Sequence, residues 1–298
     1  MRKRIAAILC AGCLWGFMGY FTRNLAALNF ESPDILVVRL SVAGALFGVT
    51  ILVTDPSMLK IRLQDIWCFL GSGICSLLFF TYCYFQAIKL TSMSTAAVLL
   101  YTAPSMVMLM SLVLFREKLT AQKAGALVLA FAGCCLVSGA VGGGQDVSAA
   151  GIIYGLCSGF GYALYSIFAR FAIDRGYDSR TINFYSCVIA VAGAAIIWGL
   201  KEPFGLMFES GKNVIWCVGT GIISCYLPYL LYTYGLAGVE PGKASVMASL
   251  EPAVATVVGA VVFHEKLTVP GAAGIALVLL AIVLLNIKIR IKKRETSA

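Results

Sequence analysis

The sequence predicts an all-α integral membrane protein: ten transmembrane helices arranged as two inverted five-helix repeats. Three observations carry this. Apolar residues make up 60% of the 298 residues and charged residues only 12%, with a mean hydropathy of +0.90, whereas soluble domains carry about 25% charge. The apolar residues fall into ten runs, each close to the roughly 20 residues that cross about 30 Å of hydrocarbon. The second half of the chain also repeats the first in sequence.

The runs cover 5–24, 34–53, 66–88, 94–115 and 121–139 in the first half, and 149–170, 179–198, 213–236, 243–263 and 269–287 in the second. They are too long and continuous for barrel strands, which alternate over about ten residues. A helix satisfies its own backbone in lipid. Arg2-Lys3-Arg4 before the first run also suits a signal peptide. The run continues past Trp15 and Tyr20 with no small-residue cleavage site, so it reads as a retained span. Gly142-Gly143-Gly144-Gln145-Asp146 between the fifth and sixth runs has the composition of a flexible linker. The division is therefore a first repeat over 1–141, a Gly-rich linker over 142–148, and a second repeat with a basic tail over 149–298.

The repeat is visible residue by residue. Segment 96–120 aligns without gaps on 244–268: Pro104 falls on Pro252, Phe115 on Phe263, and Glu117-Lys118-Leu119-Thr120 on Glu265-Lys266-Leu267-Thr268. Gly71, Gly73, Ser76 and Tyr84 fall on Gly219, Gly221, Ser224 and Tyr232, and Trp15-Gly16 falls on Phe160-Gly161 after a small shift. Thr120 and Thr268 are suited to N-cap the following helices, and Glu117 and Glu265 to pair with basic residues at the interface. Gly12 and Gly16, and Gly151, Gly155 and Gly159, make smooth faces for close helix packing.

The net charge of +9 does not point to nucleic acid, because the charges cluster between apolar runs and at the termini. With the N-terminus in the cytoplasm, that side holds Arg2, Lys3, Arg4, Lys60, Arg62, Arg116, Lys118, Lys123, Arg170, Arg175, Arg180, Lys243 and a tail with Lys288, Arg290, Lys292, Lys293 and Arg294. The outer side keeps Arg23, Lys89, Lys201, Lys212 and Lys266. The positive-inside rule places both termini in the cytoplasm of a multi-pass protein of the cytoplasmic (inner) membrane. An odd number of spans per half inverts the second half. That is the plan of many secondary transporters, with a substrate site near the midplane.

No catalytic site, cofactor or metal site is expected. The single histidine, His264, sits at a span end, and H-E-x-x-H, G-x-S-x-G and nucleotide-binding loop patterns are missing. Most of the eleven cysteines lie within apolar runs, where Cys acts as a small hydrophobe. Cys10 and Cys13 have no second ligand pair.

Glu251 is the sharpest functional candidate. A carboxyl near mid-span is costly and marks function, here as a proton carrier or pocket group. Pro252 frees a backbone carbonyl one turn earlier and offers a hinge. Arg39, inside the second span, is a candidate for coupling or gating, with snorkelling to the interface as the alternative. Gln86 can bond a ligand or a neighbouring helix. Trp15, Tyr82, Tyr101, Tyr162 and Tyr229 lie near mid-span, and aromatic walls with few charges suit an apolar zwitterion or a flat heterocycle.

Ala244-Ser245-Val246-Met247-Ala248-Ser249-Leu250-Glu251-Pro252 with Phe263-His264-Glu265-Lys266-Leu267-Thr268 resembles the ninth-helix signature of EamA-type transporters of the drug/metabolite transporter superfamily. Phe115-Arg116-Glu117-Lys118-Leu119-Thr120, Trp15-Gly16 and Arg39 are similar to that pattern too. The first half departs from the second at Ala103, which stands where the second half has Glu251. The resemblance implies a secondary transporter exporting amino acids or related small metabolites by alternating access, with protons as the candidate coupling ion. An uncoupled facilitator or channel is the alternative, and an enzyme is not expected. The expected partners are a small-molecule substrate and the bilayer. The sequence says nothing of oligomeric state.

Overall fold

The computed structural model describes residues 1–138, 148–265 and 268–287. The Gly-rich linker 142–146, Lys266-Leu267 of the second repeated tetrapeptide and the basic tail lie outside the described residues. The chain is helical: α1 (Arg2–Ala26), α2 (Ser32–Thr54), α3 (Leu63–Leu90), α4 (Thr95–Leu114), α5 (Ala121–Val137), α6 (Ala149–Asp174), α7 (Ser179–Trp198), α8 (Gly211–Leu236), α9 (Pro241–Val262) and α10 (Val269–Asn286). Among the described residues nine helices are long and apolar enough to cross a membrane, and α5 is a shorter apolar helix. A short helix, Lys201–Glu209, runs between α7 and α8.

The packing has the symmetry of the sequence. Helices α2 and α7 pair with each other, as do α4 with α9 and α5 with α10, so each of these meets its own repeat image. The other contacts come in image pairs: α1 with α8 and α6 with α3, α1 with α9 and α6 with α4, α2 with α8 and α7 with α3. Contacts at the helix ends show which ends share a face. On the face that carries the N-terminus, an Arg4 guanidinium nitrogen donates to the carbonyl of Ala237, and Arg175 pairs with Asp65 at 3.0 Å. On the opposite face Arg23 pairs with Glu265 at 2.6 Å and Ser148 donates to the Leu90 carbonyl. Each half thus begins on the opposite face from the other, and the repeats are inverted.

The duplicated corners match in backbone detail. Arg116 and His264, at equivalent positions, both take left-handed conformations, with φ of 53° and 54°. The amides of Glu117 and Glu265 reach back to the carbonyls of Ser111 and Gly259, both at 3.2 Å. This is a left-handed helix-end motif that satisfies orphan carbonyls. Thr120 and Thr268 cap the following helices by accepting from Lys123 and Gly271, again at 3.2 Å each. Glu117 and Glu265 both find cations, Lys123 and Arg23. The helix interiors correspond as well. A π-helical stretch at Gly71–Leu78 in α3 overlaps the image of one at Ile222–Tyr226 in α8.

Small residues set the closest approaches. A Cβ added at Gly133 of α5 would lie 2.7 Å from the carbonyl oxygen of Gly274, and one at Gly274 would lie 2.6 Å from that of Gly133. On α6, a Cβ at Gly159 would meet Thr102 Oγ1 at 2.7 Å and the Leu99 carbonyl at 2.9 Å. The glycine stripe of the sixth span is the seat of α4. Replacing Gly133 by Ala lowers stability by about 1–3 kcal/mol, the range for overpacking. Gly125→Ala, on the same helix but in ordinary contact at 3.6 Å, changes it little. Thermal unfolding of the two variants in detergent measures the difference.

A buried ionic tie closes the N-terminal face. Lys123 Nζ lies 3.3 Å from Glu117 Oε2 and 2.6 Å from Glu240 Oε2, and the Lys123 and Glu117 side chains are only 11% and 5% exposed. It joins the first repeat to the α8–α9 corner of the second. Lys123→Ala strands the Glu117 carboxyl and costs about 3–5 kcal/mol, the range for breaking a buried pair. Adding Glu117→Gln to that variant recovers part of the loss. Denaturant titrations of both variants test this, and no recovery would place the loss in packing instead.

Candidate functional site

The site forms where the helices lose their regularity. Helix α1 is interrupted at Phe17, between segments Arg2–Gly16 and Met18–Ala26. Helix α9 is interrupted at Ser249, between Pro241–Ala248 and Leu250–Val262. Its image α4 breaks at Tyr101–Thr102, before the segment Ala103–Leu114. The prolines account for the last two breaks. Pro104 and Pro252 have no N–H, so the carbonyls of Leu100 and Ala248, four residues back, lose their helical donors. Helix α9 packs on both α1 and α4, which brings the three breaks into neighbouring helices.

Gly12 and Gly16 let α1 lie directly on α9. A Cβ at Gly16 would stand 2.6 Å from Val254 and 3.0 Å from the Glu251 carbonyl. Trp15 is therefore held beside the α9 break. Its ring packs edge-on against Tyr229 at 5.3 Å and tilted against Tyr232 at 5.4 Å. Tyr165 extends the cluster, 4.8 Å from Tyr229. Polar atoms of the cluster are bonded to one another. Tyr165 OH donates to Asn183 Oδ1 at 2.5 Å and lies 3.0 Å from the Thr233 hydroxyl. Asn183 Nδ2 donates to the Tyr229 carbonyl, and Ser166 and Tyr232 share a hydroxyl bond of 2.8 Å. The residues enclose a cavity of about 10 Å³ lined by Trp15, Ser76, Leu77, Phe80, Tyr162, Tyr165, Ser166, Tyr229 and Tyr232. A cavity needs about 10–15 Å³ to hold one water, so this pocket has room for about one, while Glu251 at its edge keeps part of its surface accessible.

Glu251 stands at the edge of this cluster. It is half-buried and accepts a long bond of 3.4 Å from Tyr162 OH. Pro252 is buried behind it. Tyr101 lies at the α4 break, packed with Cys134, Ala253 and Ile282. Arg39 is 4% exposed and projects from α2 to the α1 interruption, where Nη1 donates to Met18 Sδ at 3.1 Å. Its Nε has no hydrogen-bond partner among the described residues.

Of the residues singled out in the sequence, the structure brings together Trp15, Tyr162, Tyr229 and Glu251 around the α1–α9 seam, with Pro252 behind them. Tyr82 and Gln86 are elsewhere. They line a separate cleft of about 400 Å³ with Phe30, Glu31, Ser32, Pro33, Phe85, Ile88, Lys89 and Trp198. There Gln86 Nε2 donates to Tyr82 OH at 3.2 Å. Ser76, Phe80 and Ser166 line the central cavity without having been singled out. Tyr165 and Tyr232 do so as well, and their signal was available: each lies three residues beyond Tyr162 or Tyr229, on the same helix face.

A bundle of inverted repeats packed around an aromatic, sparsely charged centre belongs to the class of membrane transport proteins. The EamA-like transporter family model matches residues 2–139 and 149–287, and the chain belongs to that family. An "uncharacterized transporter" of Archaeoglobus fulgidus is 29% identical over 284 residues, covering 95% of this chain and 96% of the relative. The "uncharacterized transporter YxxF" of Bacillus subtilis is 26% identical over 256 residues, covering 83% of this chain and 78% of its own. A solved crystal structure superposes with a TM-score of 0.80 at 19% identity, over 96% of this chain and 97% of that one. It shares the fold.

Tyr165→Phe leaves Asn183 Oδ1 without its phenolic donor. Stability falls by about 1–3 kcal/mol, the cost of an unsatisfied buried polar group. Thermal unfolding in detergent reads this, and an unchanged midpoint would show that the network does not hold the cluster.

Proposed function

We propose that the protein is a secondary transporter of the cytoplasmic membrane. It exports a small metabolite such as an amino acid by alternating access around the Trp15–Tyr162–Tyr229 cluster. Glu251 is the proton-coupling group, Pro252 the hinge beside it, and Arg39 part of the same machinery. The observation that carries this reading is the meeting of the only carboxyl of its kind in the duplicated segment with an aromatic cavity at the broken crossing of α1 and α9. Both ends of the bundle are tied, by Lys123–Glu240 at one face and Arg23–Glu265 at the other. A central space of about 10 Å³ is too small for a conducting path through the cluster, which supports a carrier over an open channel. Tyr101 contributes from the α4 break. Tyr82 and Gln86 contribute from the cleft near the end of α3, as an approach to the centre. The repeats 1–141 and 149–298 are the two units of that cycle, with both termini cytoplasmic as the charge bias requires. The direction of transport follows the family resemblance.

Counterflow of labelled amino acids and nucleobases in proteoliposomes tests the proposal. A carrier gives saturable counterflow of one substrate class, and an inward proton gradient accelerates its efflux. Glu251→Gln reduces the gradient-driven rate by about tenfold or more, a barrier change of roughly 1.4 kcal/mol or above. An unchanged pH dependence in that variant would remove the coupling role. Flux without counterflow would point to the facilitator or channel.

A further inference from the structure

Ser76 carries a buried hydroxyl that the fold leaves open. The side chain is 1% exposed, and Oγ has no hydrogen-bond partner among the described residues. A buried serine in a helix can bond back to the carbonyl four residues earlier. Its repeat image Ser224, also in a π-helical stretch, does so, donating to the Thr220 carbonyl at 2.7 Å. Ser76 does not, and an unpaired buried polar atom calls for an explanation. Arg39 Nε, Ser41 Oγ, Ser111 Oγ and Glu117 Oε1 are unpaired too, but of these residues Ser76 alone lines the central cavity.

That cavity has the size and the chemistry of a water site. Its volume of about 10 Å³ is close to the roughly 10–15 Å³ that one water needs, and a buried water bonds to polar groups that would otherwise be unsatisfied. Ser76 is one such group. Tyr162 is a second: its hydroxyl donates to Glu251 at 3.4 Å, which leaves its oxygen free to accept. Ser166 and Tyr232 supply a third, because two hydroxyls joined by one bond of 2.8 Å keep one proton to donate elsewhere. Ser166 lies about one turn beyond Tyr162 along α6, toward the face that carries the N-terminus.

We propose that the central cavity binds one water, anchored by Ser76, and that this water carries protons between Glu251 and the Ser166–Tyr232 pair. To load Glu251, an excess proton on the water bonds to the Tyr162 oxygen as the Tyr162 O–H proton passes to the carboxylate. The water and the phenol end neutral and Glu251 ends as a carboxylic acid, and the reverse sequence unloads it. Ser76 is a positioning residue, holding the water rather than the carboxyl. Other titratable groups facing Glu251 are Tyr84 of α3, Tyr101 of α4 and Cys134 of α5, with the Arg39 charge on α2. None of these lines the cavity. The relay rests on the reading of Glu251 as the coupling group and adds its route, which leaves the cavity toward the N-terminal face.

X-ray footprinting of the full chain in lipid nanodiscs tests the water, because radiolysis of a buried water oxidises the side chains against it. Tyr232 is 3% exposed, so bulk radicals do not reach it. In the wild type it is oxidised well above Phe47, which is buried outside the cavity. Ser76→Val fills the site with methyl groups, and the Tyr232 labelling is lost. Infrared spectroscopy after a pH jump tests the relay through the Glu251 carboxyl band, identified by its loss in Glu251→Gln. Ser76→Val slows protonation of that band by about tenfold or more, a modest share of what a positioned proton carrier contributes. Should Ser76→Val not fold, Ser76→Ala removes the anchoring hydroxyl without added volume, and both labelling and rate fall in it. Wild-type Tyr232 labelled no faster than Phe47, or labelling and rate unchanged in the folded variant, overturns the proposal. So does a raised unfolding midpoint in Ser76→Val, since filling a dry void and removing an unpaired hydroxyl would stabilise the protein. Labelled Tyr232 together with Glu251→Gln transport of unchanged pH dependence would keep the water and reject the relay along with the coupling reading. Altered coupling in Glu251→Gln with no labelled Tyr232 would keep that reading and reject the water.

Discussion

Hydrocarbon offers no hydrogen-bond partners, and the architecture follows from that constraint. Every backbone N–H and C=O at membrane depth must be satisfied within the protein, which makes the helix the default and restricts irregular backbone to places covered by other helices. The interruptions at Phe17, Tyr101–Thr102 and Ser249 obey this. They occur in α1, α4 and α9, where α9 packs on both of the others. Polar side chains collect at the same place for the same reason. A carboxyl such as Glu251 is tolerable only where a donor replaces water, and the Tyr162 hydroxyl is that donor here.

Duplication supplied two copies of this arrangement, and divergence left the chemistry in one. The corners after α4 and α9 keep the same left-handed residue, the same backward amide bond and the same threonine cap. At the break itself the copies differ: Ala103 stands where the second half has Glu251, and Tyr101 where it has Ser249. The first-half break presents an aromatic group and the second a carboxyl. The ties at the two faces have diverged as well. Glu117 is 5% exposed and shares Lys123 with Glu240, whereas Glu265 and Arg23 are 50% and 54% exposed. An exposed pair contributes about 0–1 kcal/mol, so the two closures are unequal even though they descend from one motif.

Span number, duplication, inversion and the threonine caps were all legible in the sequence, because each leaves a mark in residue type or spacing. Mid-span depth and the family resemblance singled out Trp15, Tyr82, Tyr101, Tyr162, Tyr229 and Glu251 alike, and the structure brings only Trp15, Tyr162, Tyr229 and Glu251 around one seam. What depth cannot give is azimuth. Amphipathic helices of soluble proteins reveal their inner face by polarity, but α3 is apolar on every side, so Tyr82 and Ser76 look alike in sequence. The structure turns Tyr82 toward the cleft and Ser76 toward the centre. The π-helical stretches and the α1 interruption at Phe17 were also silent. They shift hydrogen bonds along the backbone without requiring proline, and composition does not record that.

The two kinds of seam in the bundle respond differently to motion. Where α1 meets α9 and α5 meets α10, glycines bring backbone so close that an added Cβ would stand 2.6–3.0 Å from its neighbours. Such a seam has few side-chain rotamers with which to adapt, so its helices must travel together or part altogether. The α1–α8 seam is mixed: near the N-terminal face a Cβ at Gly235 would stand 3.0 Å from the Arg4 carbonyl oxygen, while at the centre the contact is made by Trp15, Tyr229 and Tyr232 with ring centroids 5.3–5.4 Å apart. Aromatic rings can rotate and reform offset or edge contacts at modest cost. The cavity lies on this adaptable seam, and the Glu251 backbone lies on the rigid one through Gly16. Parting the rings would enlarge the cavity while leaving the contact of Gly16 with the Glu251 backbone in register.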